Sequence, residues 1–370
     1  MKKTFICLTI LLLSIALFSS CSSNESSNGT SGSNNTQHAH AYSTKVIAAT
    51  CSEQGYTLHT CPCGDVYKDN YKDALGHSWI SGEKNYYCSR CNKSEADGFS
   101  FHLATMDGES CYTITNVSSN AVINGILEVP RKYESLPVRG IMNWAFSSVT
   151  MQVKKLIIHD NIKNIFSDIW HGTGIWTPDW DTMSTLEEIV FDKTCSGMRI
   201  EAGAFNNCPK LSKANIKKGM IMYAPADAVT TQNGGTGEYL FKDTPYFKNN
   251  ATIKNGLYYI ADLLLYANLN EVNSSTKIDE GTVFINPCIF NKCTFLKSIY
   301  IPSSVLSIGK DAFNGCLSLE SIIYNGTVEQ FNAISFGPNS FGNLKATSIT
   351  CNNGSVTRYH YNGYTYTVGK

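Results

Sequence analysis

A repeat of 23 residues constrains this chain more than any other feature of its 370 residues. Laying residues 277–299 over 300–322 pairs Ile278 with Ile301, Val283 with Leu306, Ile285 with Ile308 and Phe290 with Phe313. The same shift pairs Cys293 with Cys316, Leu296 with Leu319 and Ile299 with Ile322. Seven apolar coincidences at one offset mean that successive units set the same side chains at the same points. A stack behaves this way, because each unit buries its apolar face on its neighbours and none folds alone. The length agrees, since 370 residues exceed what one round hydrophobic core usually serves.

The clearest copy runs from Leu296 to Cys316. Ile299 and Ile301 alternate with Ser298 and Tyr300 as on a half-buried strand, and Pro302 stops it. A second short extended piece follows through Ile308, then a compact turn that points Ala312, Phe313 and Cys316 inward. This unit closely resembles the leucine-rich repeat of the BspA type, found in bacterial surface proteins. The resemblance implies a β-rich solenoid of BspA-type leucine-rich repeats with short helical turns.

Worn copies extend the array. Residues 153–158 lead to Trp170 in the Phe slot, residues 186–191 lead to Ala204, Phe205 and Cys208, and Val129-Pro130 leads to Ala145-Phe146. Ser340-Phe341 reads as a last copy. Cys208, Cys293 and Cys316 share one slot and read as buried structural thiols. The period breaks between residues 215 and 277, where residues 232–237 read as an exposed loop. Asn255-Gly256 reads as the turn of a hairpin that continues the sheet. The expected division is a lipoprotein signal peptide at 1–20, a flexible tether at 21–37, a small Cys/His-stapled module at 38–98, the solenoid at 99–354 and a C-terminal cap or tail at 355–370.

Lys2 and Lys3 precede an uncharged, mostly apolar run at 4–18 that ends in Ser19-Ser20-Cys21, the pattern of a secretory signal too short to span a membrane comfortably. The small residues before Cys21 resemble a bacterial lipobox, with Phe18 where Leu is usual, which implies lipidation of Cys21. Residues 22–36 hold six Ser, four Asn, two Gly, two Thr and one Glu, with nothing apolar to bury. Anchor and tether place the folded part in the cell envelope facing outward, on the outer membrane in a diderm because Ser22 is not the Asp of a retention signal.

Five of the fourteen Cys and four of the eight His fall between His38 and Cys91. His40 precedes Cys51, and His77 precedes Cys88, by the same eleven residues, so the segment reads as one and a half copies of a small unit. It resembles short Cys/His repeats of bacterial cell-surface proteins, but Cys61-Pro62-Cys63 has one residue between its thiols and the second copy lacks the first Cys. Thiolates and imidazoles four to a site make a closed tetrahedral zinc site, whereas exported Cys also oxidise to disulfides. The expected ligands are Cys61, Cys63, Cys88 and Cys91 around a structural zinc, with His40 or His77 as alternates. Full disulfide pairing would instead need a partner such as Cys111 for the odd thiol.

Thirty Lys plus Arg balance thirty Asp plus Glu, so nothing steers a polyanion and nucleic acid is excluded as a partner. No nucleophile with its base, no paired carboxylates and no phosphate loop show a recognisable spacing, so an enzyme is not expected. His102, His159 and His360 stand isolated and read as surface or strand residues. Residues 171–184 interrupt a repeat with Trp176 and Trp180 among Gly and Pro, beside Asp179 and Asp181. Exposed Trp planes would stack on sugars or anchor a protein and the carboxylates would accept hydroxyl hydrogens, unless both Trp fold back to cover the stack. The expected function is a surface-displayed binding protein for a macromolecular partner; the resemblance to BspA-type proteins implies an adhesin-like role toward host matrix or another cell surface, and polysaccharide is the other partner class. Its alternatives are a glycan-binding accessory of the envelope and a structural or metal-responsive envelope protein.

Overall fold

Alternation of apolar and polar residues along 298–302 becomes a strand whose two faces differ. In the computed structural model, strand Ser298–Pro302 buries Ile299 and Ile301 and leaves Ser298 and Tyr300 half-buried on the other face. The residues described are 39–142, 144–166, 185–200, 204–205, 208–220, 240–241 and 243–357.

Each turn of the stack gives one strand to each of two sheets. In the C-terminal half, Ser275–Lys277, Ser298–Pro302, Ser321–Asn325 and Ser348–Cys351 run parallel in one sheet. Leu263–Ala267, Phe284–Ile285, Ser307–Ile308 and Ser335–Phe336 run parallel in the other. The N-terminal half repeats the plan, with Ile126–Glu128, Lys155–Ile158, Glu188–Phe191 and Lys213–Ala214 in one sheet. Its second sheet holds Glu109–Val117, Leu136–Ile141, Asn164–Ile165 and Arg199–Ile200. The parallel stacks end in antiparallel hairpins, Phe99–Met106 with Glu109–Val117 and Val122–Ile123 with Ile126–Glu128 at the start, and Ser348–Cys351 with Gly354–Thr357 at the finish. The outer strand of each hairpin is the edge of its sheet.

Phe side chains form a ladder through the interior. Phe290, Phe313 and Phe341 stack with centroids 5.2 and 5.1 Å apart and planes 12° and 3° from parallel. In the N-terminal half, Phe205 stacks on Phe241 at 5.4 Å, so Phe241 supplies a rung across the stretch where the sequence period breaks. Full burial of such a ring contributes roughly 1.5–3 kcal/mol. Cys208, Cys293 and Cys316 are all buried beside these rings, as their shared slot requires.

Asn255 and Gly256 take φ of 49° and 77°, the left-handed pair that a two-residue turn between right-twisted strands demands. The hairpin they close, Thr252–Lys254 with Leu257–Ile260, continues the sheet through Leu263–Ala267. Residues of that last strand serve different interiors: Leu263 and Leu265 join the N-terminal core, Leu264 and Ala267 the C-terminal one. The hairpin is therefore the plate on which both halves pack.

Ahead of the stack lie a three-stranded antiparallel sheet, Ser43–Ile47, Gly55–Thr60 and Val66–Lys72, and a two-stranded ribbon, Trp79–Ser81 with Tyr86–Cys88. The apolar residues buried among 39–98 are Cys51, Cys61, Cys88 and Ala96. A module of this size with so little buried hydrocarbon must draw its order from something other than hydrophobic burial.

Candidate functional site

Turns between the module's strands gather its thiols and imidazoles into two groups. Cys51 lies between the first two strands, His77 sits two residues ahead of Trp79, and Cys88 ends the ribbon. The Cys88 carbonyl accepts a hydrogen bond from the Asn92 N–H at 2.8 Å, and Asn92, at φ 60°, completes the turn that returns Cys91 toward Cys88. Ligand atoms of Cys51, His77, Cys88 and Cys91 all lie within 4.8 Å of one another. Cys51 Sγ is 3.8 Å from Cys88 Sγ, and Cys91 Sγ is 3.4 Å from His77 Nδ1. The second group is His40, Cys61 and Cys63, also within 4.8 Å, with Cys63 Sγ 3.2 Å from His40 Nδ1. Both groups can hold a metal ion.

The expected set of Cys61, Cys63, Cys88 and Cys91 is thus divided between two places, and each pair takes a different His. Cys51, which sequence reasoning left out, completes the first group. The sequence showed only that the second copy is one Cys short, not which thiol makes up the set. Local geometry repeats as well, because His40 packs against Tyr42 at 5.5 Å and His77 against Trp79 at 4.6 Å. Cys111 is a buried free thiol of strand Glu109–Val117.

Each group contains one thiol biased toward its anion. Burial would raise the Cys88 pKa, but the N–H groups of Ser78, Arg90 and Cys91 point at its sulfur and hold it below the usual range. Cys51 beside it is pushed up by burial and by the neighbouring thiols. In the second group, the Cys63 N–H and then the Cys63 side chain lower Cys61, while Cys63 itself is raised by the bond it makes to Cys61. A thiolate aimed at by backbone donors is the form that ligates metal.

Polar contacts bolt the module to the first repeats. Arg131 donates to Glu95 Oε2 at 2.8 Å and its N–H donates to Glu95 Oε1 at 2.7 Å, on a carboxylate that is almost wholly buried. Trp79 Nε1 donates to Glu128 Oε2 at 2.8 Å. His159 is also part of this seam. It is 5% exposed, with Nε2 2.9 Å from Glu128 Oε1 and Nδ1 3.4 Å from Asp192 Oδ2, which corrects its reading as an isolated surface or strand residue. A cavity of about 220 Å³ lies along the seam, lined by His77, Trp79, Glu95, Phe99, Ile126 and Glu128. His77 Nε2 is buried without a hydrogen-bond partner among the described residues.

His102 is exposed on strand Phe99–Met106. Cys21, Trp170, Trp176, Asp179, Trp180, Asp181 and His360 lie outside the described residues. On the outward face of the C-terminal sheet, in-register pairing sets Lys277, Tyr300, Ile323 and Thr350 in one row and Ser275, Ser298 and Ser321 in another. Lys277 Nζ sits 4.6 Å above the Tyr300 ring, and Ile323 is 40% exposed. The N-terminal sheet carries Ile126, Lys155, Glu188 and Lys213 in the row that corresponds to Ser275, Ser298 and Ser321, with Lys155 paired to Glu188 at 3.2 Å.

The BspA type leucine rich repeat region matches the chain in six copies, over residues 133–224 and 235–343, more than half of its length. The chain belongs to the BspA-type leucine-rich repeat family. The matched residues take in most of the stacked strands, though not Glu109–Val117, Ile126–Glu128 or Ser348–Cys351, and leave the Cys/His module outside the match. Among solved structures, a leucine rich cell surface protein from Faecalibacterium prausnitzii is 15% identical, with 70% of this chain and 94% of that one covered and a TM-score of 0.24. The pneumococcal vaccine antigen PcpA is 18% identical, with 74% and 82% covered and a TM-score of 0.22. A leucine-rich repeat protein from Bacteroides ovatus is 14% identical, with 68% and 77% covered and a TM-score of 0.20. No curated protein matches the chain. Membership of the BspA-type family rests on the repeats themselves. No helix among the described residues is long and apolar enough to cross a membrane.

Proposed function

We propose that this BspA-type protein is a non-enzymatic binding protein displayed on the bacterial surface, lipidated at Cys21, carried on the tether at 22–36, and adhesin-like toward a macromolecular partner. The observation that carries this reading is the outward row of Lys277, Tyr300, Ile323 and Thr350, which the parallel register holds side by side. A stack presents such rows over a length that suits a large partner, and it mixes cation, aromatic ring, aliphatic and hydroxyl side chains. A protein is the partner that this mixture fits best. The Cys/His module acts as a metal-stapled cap, docked through Glu95 and Trp79, and the metal is structural zinc by the softness of its donors.

The test is an array of matrix proteins and polysaccharides probed with the full chain in detergent. Saturable binding to a protein, weakened about ten-fold by joint Lys277→Ala, Tyr300→Ala and Ile323→Ala at unchanged melting temperature, is the expected result. Binding confined to polysaccharide would move the site to the insertion with Trp176, Asp179, Trp180 and Asp181. Silence on both, with a response to zinc withdrawal, would favour the structural or metal-responsive role. Mass spectrometry of the mature N-terminus checks for lipid on Cys21.

A further inference from the structure

The interior of the Cys/His module is made of thiols. Cys51, Cys61, Cys88 and Ala96 are its buried apolar residues, and neither hydrophobic cluster of the solenoid includes a residue of 39–98. Strand Val66–Lys72 has every residue exposed except Asp69. Sheets this thin do not order themselves by burial, so the groups around which they close must supply the missing stability.

Distances within the first group discriminate between a disulfide and a metal. A tetrahedral zinc with three thiolates and one imidazole has edges of about 3.8 Å between sulfurs and about 3.5 Å between sulfur and nitrogen, from its bond lengths. Cys51 and Cys88 stand 3.8 Å apart, and Cys91 and His77 Nδ1 stand 3.4 Å apart. A disulfide would join one pair of sulfurs at about 2.05 Å and leave the third thiol and the imidazole converging on nothing. The second group shows the same His and Cys-pair arrangement, at 3.2 Å, with three ligands among the described residues. Asp65, which accepts the Tyr42 hydroxyl hydrogen, lies beside it, 3.9 Å from His40 Nδ1.

We propose that the module holds two zinc ions as its core, one bound by Cys51, His77, Cys88 and Cys91 and the other by His40, Cys61 and Cys63. This deepens the metal-stapled reading of the module and rests on it. The first centre has four ligands and lies against the solenoid, with Cys51 and Cys88 buried, its His77 ring lining the seam cavity and Cys91 its one exposed ligand. The second stands away from that seam, with His40 and Cys63 exposed. The two centres therefore differ in retention: the exposed one yields its zinc to a mild chelator first.

The experiment is metal analysis of the full chain purified without chelator, followed by timed zinc release to a colorimetric chelator. Two equivalents released in two phases are expected. Cys63→Ser, at an exposed position, should remove the fast phase and leave one equivalent, whereas Cys88→Ser should remove the slow one. Replacement by cobalt should give thiolate charge-transfer absorption that falls to about three-fifths in Cys63→Ser, because three of the five ligating thiolates belong to the other centre. A single equivalent lost alike in both variants would show one shared four-thiolate site and overturn the two-centre assignment while sparing the metal staple. No metal, with the module thiols paired as disulfides save the odd one, would overturn both. If Cys88→Ser fails to fold, the two-phase release of the unaltered chain and the Cys63→Ser result still decide.

Discussion

Phe313 lies between Phe290 and Phe341 and is fully buried, so its ring has no room to relax into if it is cut back. Phe313→Ala should lower stability by about 3–5 kcal/mol, measured as a shifted urea midpoint. Cys316 beside it is fully buried and donates its thiol hydrogen to the Phe290 carbonyl at 3.0 Å. Burial pushes its pKa up to about 12, which keeps the group a neutral packing residue. Cys316→Ser should therefore cost about 1–2 kcal/mol through burial of a more polar hydroxyl and leave partner binding unchanged. Both slots were legible from the offset of 23, because a stack repeats its side-chain environment along with its backbone. Phe241 was not, since the rung falls where the spacing breaks and only the stacking on Phe205 reveals it.

At the scale of the element, the turn carrying each Phe has a fixed backbone recipe. Two residues before Phe146, Phe290, Phe313 and Phe341, the residues Trp144, Cys288, Asp311 and Asn339 have φ between 53° and 60°. Two residues after the last three, Lys292, Gly315 and Asn343 are left-handed too. Asn, Asp and Gly tolerate this region best, and the chain uses them at several of these points. Four residues before Phe313 and Phe341, Gly309 and Gly337 let neighbouring coils touch. A Cβ on Gly309 would lie 2.4 Å from Pro287 N, and one on Gly337 would lie 2.3 Å from Lys310 N. Gly309→Ala should force the coils apart and cost roughly 1–3 kcal/mol, read as a lower melting temperature. The sequence showed Gly309 inside a repeat, but a close approach of backbones belongs to the pairing of two coils and has no signature within one.

Over the whole molecule, the module and the stack meet through charge. Glu128 is faced by His159, Arg131 and the Trp79 indole, with Glu95 on the far side of Arg131 and Asp192 on the far side of His159. Burial would raise the Glu128 pKa, but the hydrogen bonds from His159 and Trp79 outweigh it and hold the carboxyl below its ordinary 4.5. Asp192 is likewise held below 3.8 against its burial by His159 and Thr194. Depressed carboxyls stabilise the fold above their unfolded pKa, and that contribution is lost as pH falls through the folded values. Glu95 has the opposite sign, because burial raises it and its ionised form is the less favoured. Melting temperature should therefore fall on acidification below about pH 4.5, and Glu128→Gln should flatten that acid arm while lowering the plateau near neutral pH. Trp79→Phe keeps an aromatic ring but removes the N–H with the pyrrole half of the indole, so it should cost about 1.5–3 kcal/mol, seen as earlier proteolysis at the seam. The solenoid was determined by sequence alone, because an array repeats its apolar positions at one interval and that interval can be counted along a line. The hairpin at Asn255-Gly256 was equally local. Tertiary structure decided which thiols meet, since Cys51 and His77 are brought together by strands that cross between them and no spacing specifies that crossing. It also decided the fate of His159, alone in the sequence, whose carboxylate and guanidinium neighbours arrive from residues 128, 131 and 192 only when the coils stack.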